Sequence, residues 1–234
     1  MAKHPKEVDV LIAQARVLAA AGQFERAIGL LNRYSQTFED PEPFLLVASQ
    51  LCIDEKKYGE AEKIIKRGLA KKPDSEEMQF QLAAVYERQE EYSRAEADFK
   101  KLLTENPEHA GVLNYLGYML ADRGVRLSEA LGYLLKAVEL EPYNGAYLDS
   151  LGWVYFRLER LDLSESYLKQ AAQLNGDDTT ILEHLGDLYR KLERYDEAGR
   201  YYKDSLALAK DQVDQKRVQH KLSGVKKVLA QQRD

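Results

Sequence analysis

Small and bulky apolar residues return along this chain at a fixed interval, and the interval says more than any single segment. Small side chains occupy Ala15, Ser49, Ala83, Gly117, Gly152 and Gly186, and a second small set occupies Ala27, Ala61, Ala95, Ala130, Ser164 and Ala198. Bulky residues keep the same register at Leu31, Ile65, Phe99, Leu134, Leu168 and Tyr202, and again at Leu18, Cys52, Tyr86, Leu120, Tyr155 and Tyr189. The step is 34 residues throughout, apart from one of 35. A period of this length marks an array of short units, each too small to bury its own apolar face and therefore stacked on its neighbours. The spacing predicts two antiparallel helices per unit, with small residues where the backbones cross closely and large ones filling the space beside them.

Breakers fall where the second helix of a unit should stop. Pro73, Pro107 and Pro142 do this for three units and Asn175-Gly176 for the fifth, whereas the sixth runs on through Ala207, Leu208 and Ala209. The one extra residue lies within Asp122-Arg123-Gly124-Val125-Arg126, so it lengthens an inter-helix turn and leaves the helices in register. Past the sixth unit, Val218, Leu222, Val225 and Leu229 draw one apolar stripe on a helix otherwise made of Lys, Arg and Gln. This predicts a cap over the last helix of the array, as the end of a solenoid requires. The other reading of the same helix is a basic amphipathic segment for an acidic membrane or partner.

These positions resemble the tetratricopeptide repeat, whose 34-residue pattern runs large residue, Leu-Gly, Tyr, Ala, aromatic, Ala, Pro. The fourth unit carries it as Leu113, Leu116-Gly117, Leu120, Ala130, Leu134, Ala137 and Pro142, and the fifth as Leu148, Leu151-Gly152, Tyr155, Ser164, Leu168 and Ala171. The resemblance covers about residues 8 to 210. The stretches LNYLGYMLADRG, AYLDSLGWVYFRL and ILEHLGDLYRKL are similar to those of large bacterial tetratricopeptide proteins, in which such repeats form one part of a longer chain. Gln14, Ser49, Cys52 and Gly68 depart from the pattern in the first two units. The fold expected is an all-α, right-handed superhelical solenoid. Six helix-turn-helix repeats would occupy about residues 8–41, 42–75, 76–109, 110–144, 145–178 and 179–210, with residues 211–234 as a C-terminal capping helix.

Composition narrows the function. The balance of 39 acidic against 34 basic residues leaves a net charge of −5, the wrong sign for phosphate binding, so no nucleic-acid partner is expected. The tail is distinct: residues 211–234 carry six basic and three acidic side chains. No apolar run reaches the length of a membrane span, and the opening MAKHPKEVDV lacks the apolar core of a secretory signal. The chain is therefore expected to stay where it is made, in the cytoplasm, unless it is an excised part of a longer or exported protein. The lone Cys52 excludes an internal disulfide framework and holds a position that is elsewhere Leu or Tyr, so it reads as a buried small hydrophobe.

Catalytic chemistry finds no foothold. No phosphate loop, GxGxxG, HExxH or GxSxG occurs, and no two of His4, His109, His184 and His220 stand at the spacing that puts two ligands on one helical face. Glu183 and Asp187 near His184 read as incidental polar neighbours. The expectation is a non-enzyme without metal or cofactor.

The resemblance implies that the first helix of each repeat lines a concave surface. The positions three and two before the small residue, and one and four after it, would then face the groove. In the second half these are Asn114, Tyr115, Tyr118, Ala121, Asp149, Ser150, Trp153, Phe156, Glu183, His184, Asp187 and Arg190. The first half offers Ile12, Ala13, Arg16, Leu46, Val47, Gln50, Phe80, Gln81, Ala84 and Glu87, which is blander. Rings beside carboxylates and an amide suit an extended peptide, and Asp149, Glu183 and Asp187 with few basic groups beside them favour a segment with basic and apolar side chains. The best-known task of such repeats, gripping the C-terminal carboxylates of chaperones, calls for the opposite charge. The first reading is thus a protein- or peptide-binding scaffold that assembles a complex. A self-associating array, and a regulatory or substrate-presenting part of a longer polypeptide, are the alternatives.

Overall fold

The computed structural model describes residues 5–232, and all thirteen elements found there are α-helices. They are α1 (Pro5–Ala20), α2 (Phe24–Thr37), α3 (Glu42–Asp54), α4 (Tyr58–Leu69), α5 (Glu76–Arg88), α6 (Tyr92–Glu105), α7 (Ala110–Asp122), α8 (Leu127–Leu140), α9 (Gly145–Arg157), α10 (Leu161–Leu174), α11 (Thr179–Lys191), α12 (Tyr195–Leu208) and α13 (Gln212–Gln231). The chain divides into two compact units, Met1–Pro107 with α1–α6 and Glu108–Asp234 with α7–α13. The helix that the sequence sets apart, α13, is thus part of the second unit.

Local chemistry explains why the helices start and stop in register. Side chains cap the N-termini of first helices: Ser75 accepts from Met78 N–H, His109 from Val112 N–H, Asn144 from Ala146 and Tyr147 N–H, and Asp178 from Thr180 and Ile181 N–H. First helices end in a left-handed residue, at Gly22, Lys56, Glu90, Gly124, Glu159 and Glu193. The following amide then reaches back to the last turn, as Lys57 N–H does to Cys52 O and Arg160 N–H to Tyr155 O. The extra residue acts here: Val125 intervenes after Gly124, and Arg126 becomes left-handed (φ 47°) to start α8. Helix α12 ends at Leu208, Ala209 is extended, and Asp211 caps α13 by accepting from Val213 and Asp214 N–H.

The register sets are the core. In the first unit Ala15, Ala27, Leu31, Cys52, Ala61 and Ile65 are buried, with Phe44 packed against Tyr34 of α2 and Phe38 just past its end. In the second unit the small residues are glycines because bulk crosses them directly. An added Cβ would stand 2.6 Å from Leu134 Cγ at Gly117, 2.7 Å from Leu168 Cγ at Gly152 and 2.4 Å from Tyr202 Cε1 at Gly186. The stripe of α13 buries Val218, Leu222 and Val225 into the same cluster as Ala198 and Tyr202 of α12.

Candidate functional site

The side chains of the second unit that the sequence assigns to a binding face lie on α7, α9 and α11, and most are more enclosed than a groove lining needs to be. Asp149, Ser150, Trp153, Glu183, His184 and Asp187 are each 8% exposed or less, Asn114, Tyr115 and Tyr118 are partly buried, and only Arg190 is open to solvent. Every residue from Ile181 to Tyr189 is buried, so α11 is covered on all sides.

Rings and charges knit this face together. The Trp153 indole stacks on His184 (centroids 4.1 Å apart, 13° between planes) and on Phe156 (4.9 Å), and Tyr118 tilts toward His184 from 6.3 Å. His184 Nδ1–H donates to both Asp149 oxygens, at 2.9 and 3.0 Å. Burial would push the imidazole pKa down; the charge and hydrogen bond of Asp149, with Asp187 and Glu183 behind it, overcome that and raise it above the ordinary histidine value. The His184 ring is thus held between an aromatic plane and a carboxylate. Ser150 turns inward and donates to Ala146 O, 3.0 Å away.

The expectation that the carboxylates stand with few basic groups beside them is corrected by α13. Arg217 grips Glu183 with two parallel bonds (Nε to Oε1 2.9 Å, Nη2 to Oε2 2.7 Å) and holds Asp214 with its remaining nitrogen. Lys221 reaches Glu183 Oε1 at 2.7 Å and Asp187 Oδ2 at 2.5 Å. Tyr202 donates to Asp187 Oδ1 (2.7 Å), and Arg190 lies 3.8 Å from the same oxygen. Burial would lift the Glu183 carboxyl, but the bonds from Arg217 and Lys221 hold it below the usual carboxylate range. The signal that locates these partners is the period itself: Arg217 and Lys221 stand 34 residues after Glu183 and Asp187.

Two polar atoms of this face are buried without a hydrogen-bond partner, the Trp153 Nε1–H donor on α9 and the Asn114 Oδ1 acceptor on α7. Cys52 is buried in the first unit, and burial first of all pushes its thiol up to about 11, so it is inert as a nucleophile. Among the described residues no group of His, Cys, Asp and Glu is arranged to hold a metal ion, and no helix is long and apolar enough to cross a membrane.

Family models described as tetratricopeptide repeat match residues 20–86, 80–145, 146–178 and 181–216. A TPR repeat-containing protein of Pseudomonas aeruginosa is 31% identical over 156 residues, which are 67% of this chain but 25% of that protein. A thermophilic TPR protein of Thermus thermophilus superimposes with a TM-score of 0.68 at 26% identity, over 76% of this chain and 97% of its own. A chain of the APC/C hetero-tetramer Cut9-Hcn1 shares the fold, with a TM-score of 0.77 at 15% identity over 95% of this chain and 44% of its own. Matched repeats over most of its length, on helices that pair and cross as the 34-residue pattern requires, make this chain a member of the tetratricopeptide repeat family.

Proposed function

We propose that this chain is a scaffold that binds a protein partner, and that the face of α7, α9 and α11 takes an extended segment of that partner. The observation that carries the reading is the pair of buried, unsatisfied groups on that face, the Trp153 N–H and the Asn114 carbonyl oxygen. A buried polar atom left unpaired costs free energy, and a peptide backbone offers both complements, a C=O for the indole and an N–H for the amide. Tyr115, Tyr118 and Phe156 border them as partly buried rings, which supply rigid contact area at small entropic cost.

The chemistry of the segment shifts from the one read off the sequence. With Glu183 and Asp187 held by Arg217 and Lys221, and Asp149 by His184, little negative charge is left to attract a basic chain. An apolar or aromatic segment fits the rings and the backbone groups, and its binding should depend weakly on salt.

A fluorescence or array screen of extended peptides rich in apolar residues tests this, with Trp153→Phe as the informative variant because it keeps a ring and removes the N–H. Affinity should fall by roughly tenfold, the value of one hydrogen bond to a group otherwise left unpaired. Peptide binding unchanged by Trp153→Phe and by Asn114→Ala, with helicity intact, would move the site off this face.

A further inference from the structure

One second helix breaks a polar pattern that its neighbours keep. Two register positions four residues apart hold an ion pair on α4 (Glu62–Lys66, 2.6 Å), on α6 (Glu96–Lys100, 2.8 Å) and on α10 (Glu165–Lys169, 2.6 Å). On α4 and α10 these residues also serve the tyrosine of the next first helix: Lys66 stands over the Tyr86 ring, and Tyr189 donates to Glu165 Oε1 at 2.9 Å. An arginine completes each of these two seams, Arg94 at 3.9 Å over Tyr86 and Arg194 at 4.4 Å over Tyr189. On α8 the two positions are Leu131 and Leu135, and the register place of Arg94 is taken on α10 by Leu163. Tyr155 holds the place of Tyr86 and Tyr189, and its ring stacks on Tyr167 of α10 (5.5 Å, 14°). Leu135 and Leu163 are 43% and 42% exposed, where α4 and α6 present charge to water.

We infer that this apolar seam of α8 and α10 is a self-association surface, on which the same seam of a second copy packs across a two-fold axis. Charge complementarity selects a second copy. Arg160, at the start of α10, and Glu139, one residue from the end of α8, are exposed, and neither makes an ion pair among the described residues. Glu139 lies four residues past Leu135 and continues its face of the helix. The two helices hold equivalent places in the register, so these opposite charges stand at opposite ends of the leucine patch. A two-fold axis through the patch sets Arg160 of each copy beside Glu139 of the other, twice over. The patch is also small, and pairing it with itself sets leucine against leucine and doubles the apolar area removed from water.

A contact of this size should be weak, with a dissociation constant of about 10–100 μM. Sedimentation equilibrium on the chain across that range measures it. The deciding variant is Leu131→Glu with Leu135→Lys, because it writes into α8 the ion pair that α4, α6 and α10 already carry. It should weaken association by about 100-fold or more, since both changes count twice across the axis, while circular dichroism shows an unchanged helical array. Leu163→Arg, at an exposed position, should weaken it by about tenfold or more and leaves α8 untouched. Arg160→Glu should weaken the dimer by roughly tenfold, and Arg160→Glu with Glu139→Arg should restore it. A chain that stays monomeric up to about 500 μM overturns the inference and leaves the patch to a different protein, and a dimer indifferent to the leucine changes overturns it too. A dimer lost with the leucines but not restored by the charge swap overturns the two-fold pairing.

Discussion

The two compact units use the same register and differ in what their first helices do with the face left over. In the first unit α3 shows Leu46, Val47 and the exposed Gln50, and its side-chain tie to α5 is the Ser49 hydroxyl donating to Gln81 Oε1 at 2.6 Å. In the second, the matching positions of α9 and α11 carry Asp149, Glu183, His184 and Asp187, bound to one another and to α13. The first helices cross their partners over Ala15, Ser49 and Ala83 in one unit and over three glycines in the other. Charge on the predicted binding face of a repeat array can thus be an internal tie. Whether it is free to attract a partner depends on the residues one period further on.

Each unit carries its own probe, which lets the comparison be broken experimentally: Trp153, the single tryptophan, reports the second unit, and Cys52, the single cysteine, the first. The largest effect should come from Gly186→Leu or Gly152→Leu, which force bulk into Tyr202 or Leu168. Each should destabilise the second unit by about 3 kcal/mol or more in urea followed by Trp153 fluorescence, since overpacked crossings have nowhere to expand. Gly68→Ala in the first unit should cost under about 1 kcal/mol, because its neighbour is the flexible end of Met78. Equal costs in the two units would remove the distinction.

Next comes the buried pair. Asp149→Asn removes the carboxylate that faces the buried His184 ring and should cost about 2–4 kcal/mol. The pH dependence follows from the raised His184 pKa: the folded state holds its proton more tightly than the unfolded one. The stabilisation is therefore complete below the ordinary histidine value and is lost as pH rises through the folded value. Melts of wild type across neutral to alkaline pH should show this decline on the Trp153 signal, and Asp149→Asn should flatten it. A smaller contrast concerns Cys52: with its thiol pushed up to about 11, reaction with a disulfide reagent at pH 8 should wait for unfolding of the first unit. The smallest effects should be shared by both units. Glu90→Gly and Glu193→Gly, each at a left-handed turn position, should each stabilise by about 0.5–1 kcal/mol in denaturant melts.

Much of the architecture was legible because period and residue size are local properties. Leu31, Ile65, Phe99, Leu134, Leu168 and Tyr202 are buried where the register places them, and the extra residue falls in the turn before α8. The array reading did not reveal the division after Pro107, since the period continues across it unchanged. On the candidate face the residues were legible and their state was not. Glu183 and Asp187 read as free acids because their bases sit on a helix assigned to a separate cap, and burial of His184 depends on the stacked Trp153, which no spacing rule specifies.

The acidic face of the second unit is balanced from within by α13, and a double-mutant cycle between Glu183→Gln and Arg217→Met is the decisive test. Urea unfolding followed at Trp153 gives the stability of wild type, both single variants and the double. Arg217 is half exposed, which tempers the pair, but Glu183 is buried and bonded twice, so a coupling of about 1 kcal/mol or more is expected. Additivity within about 0.3 kcal/mol would contradict it, and would return Glu183 to the surface as a charge available to a partner.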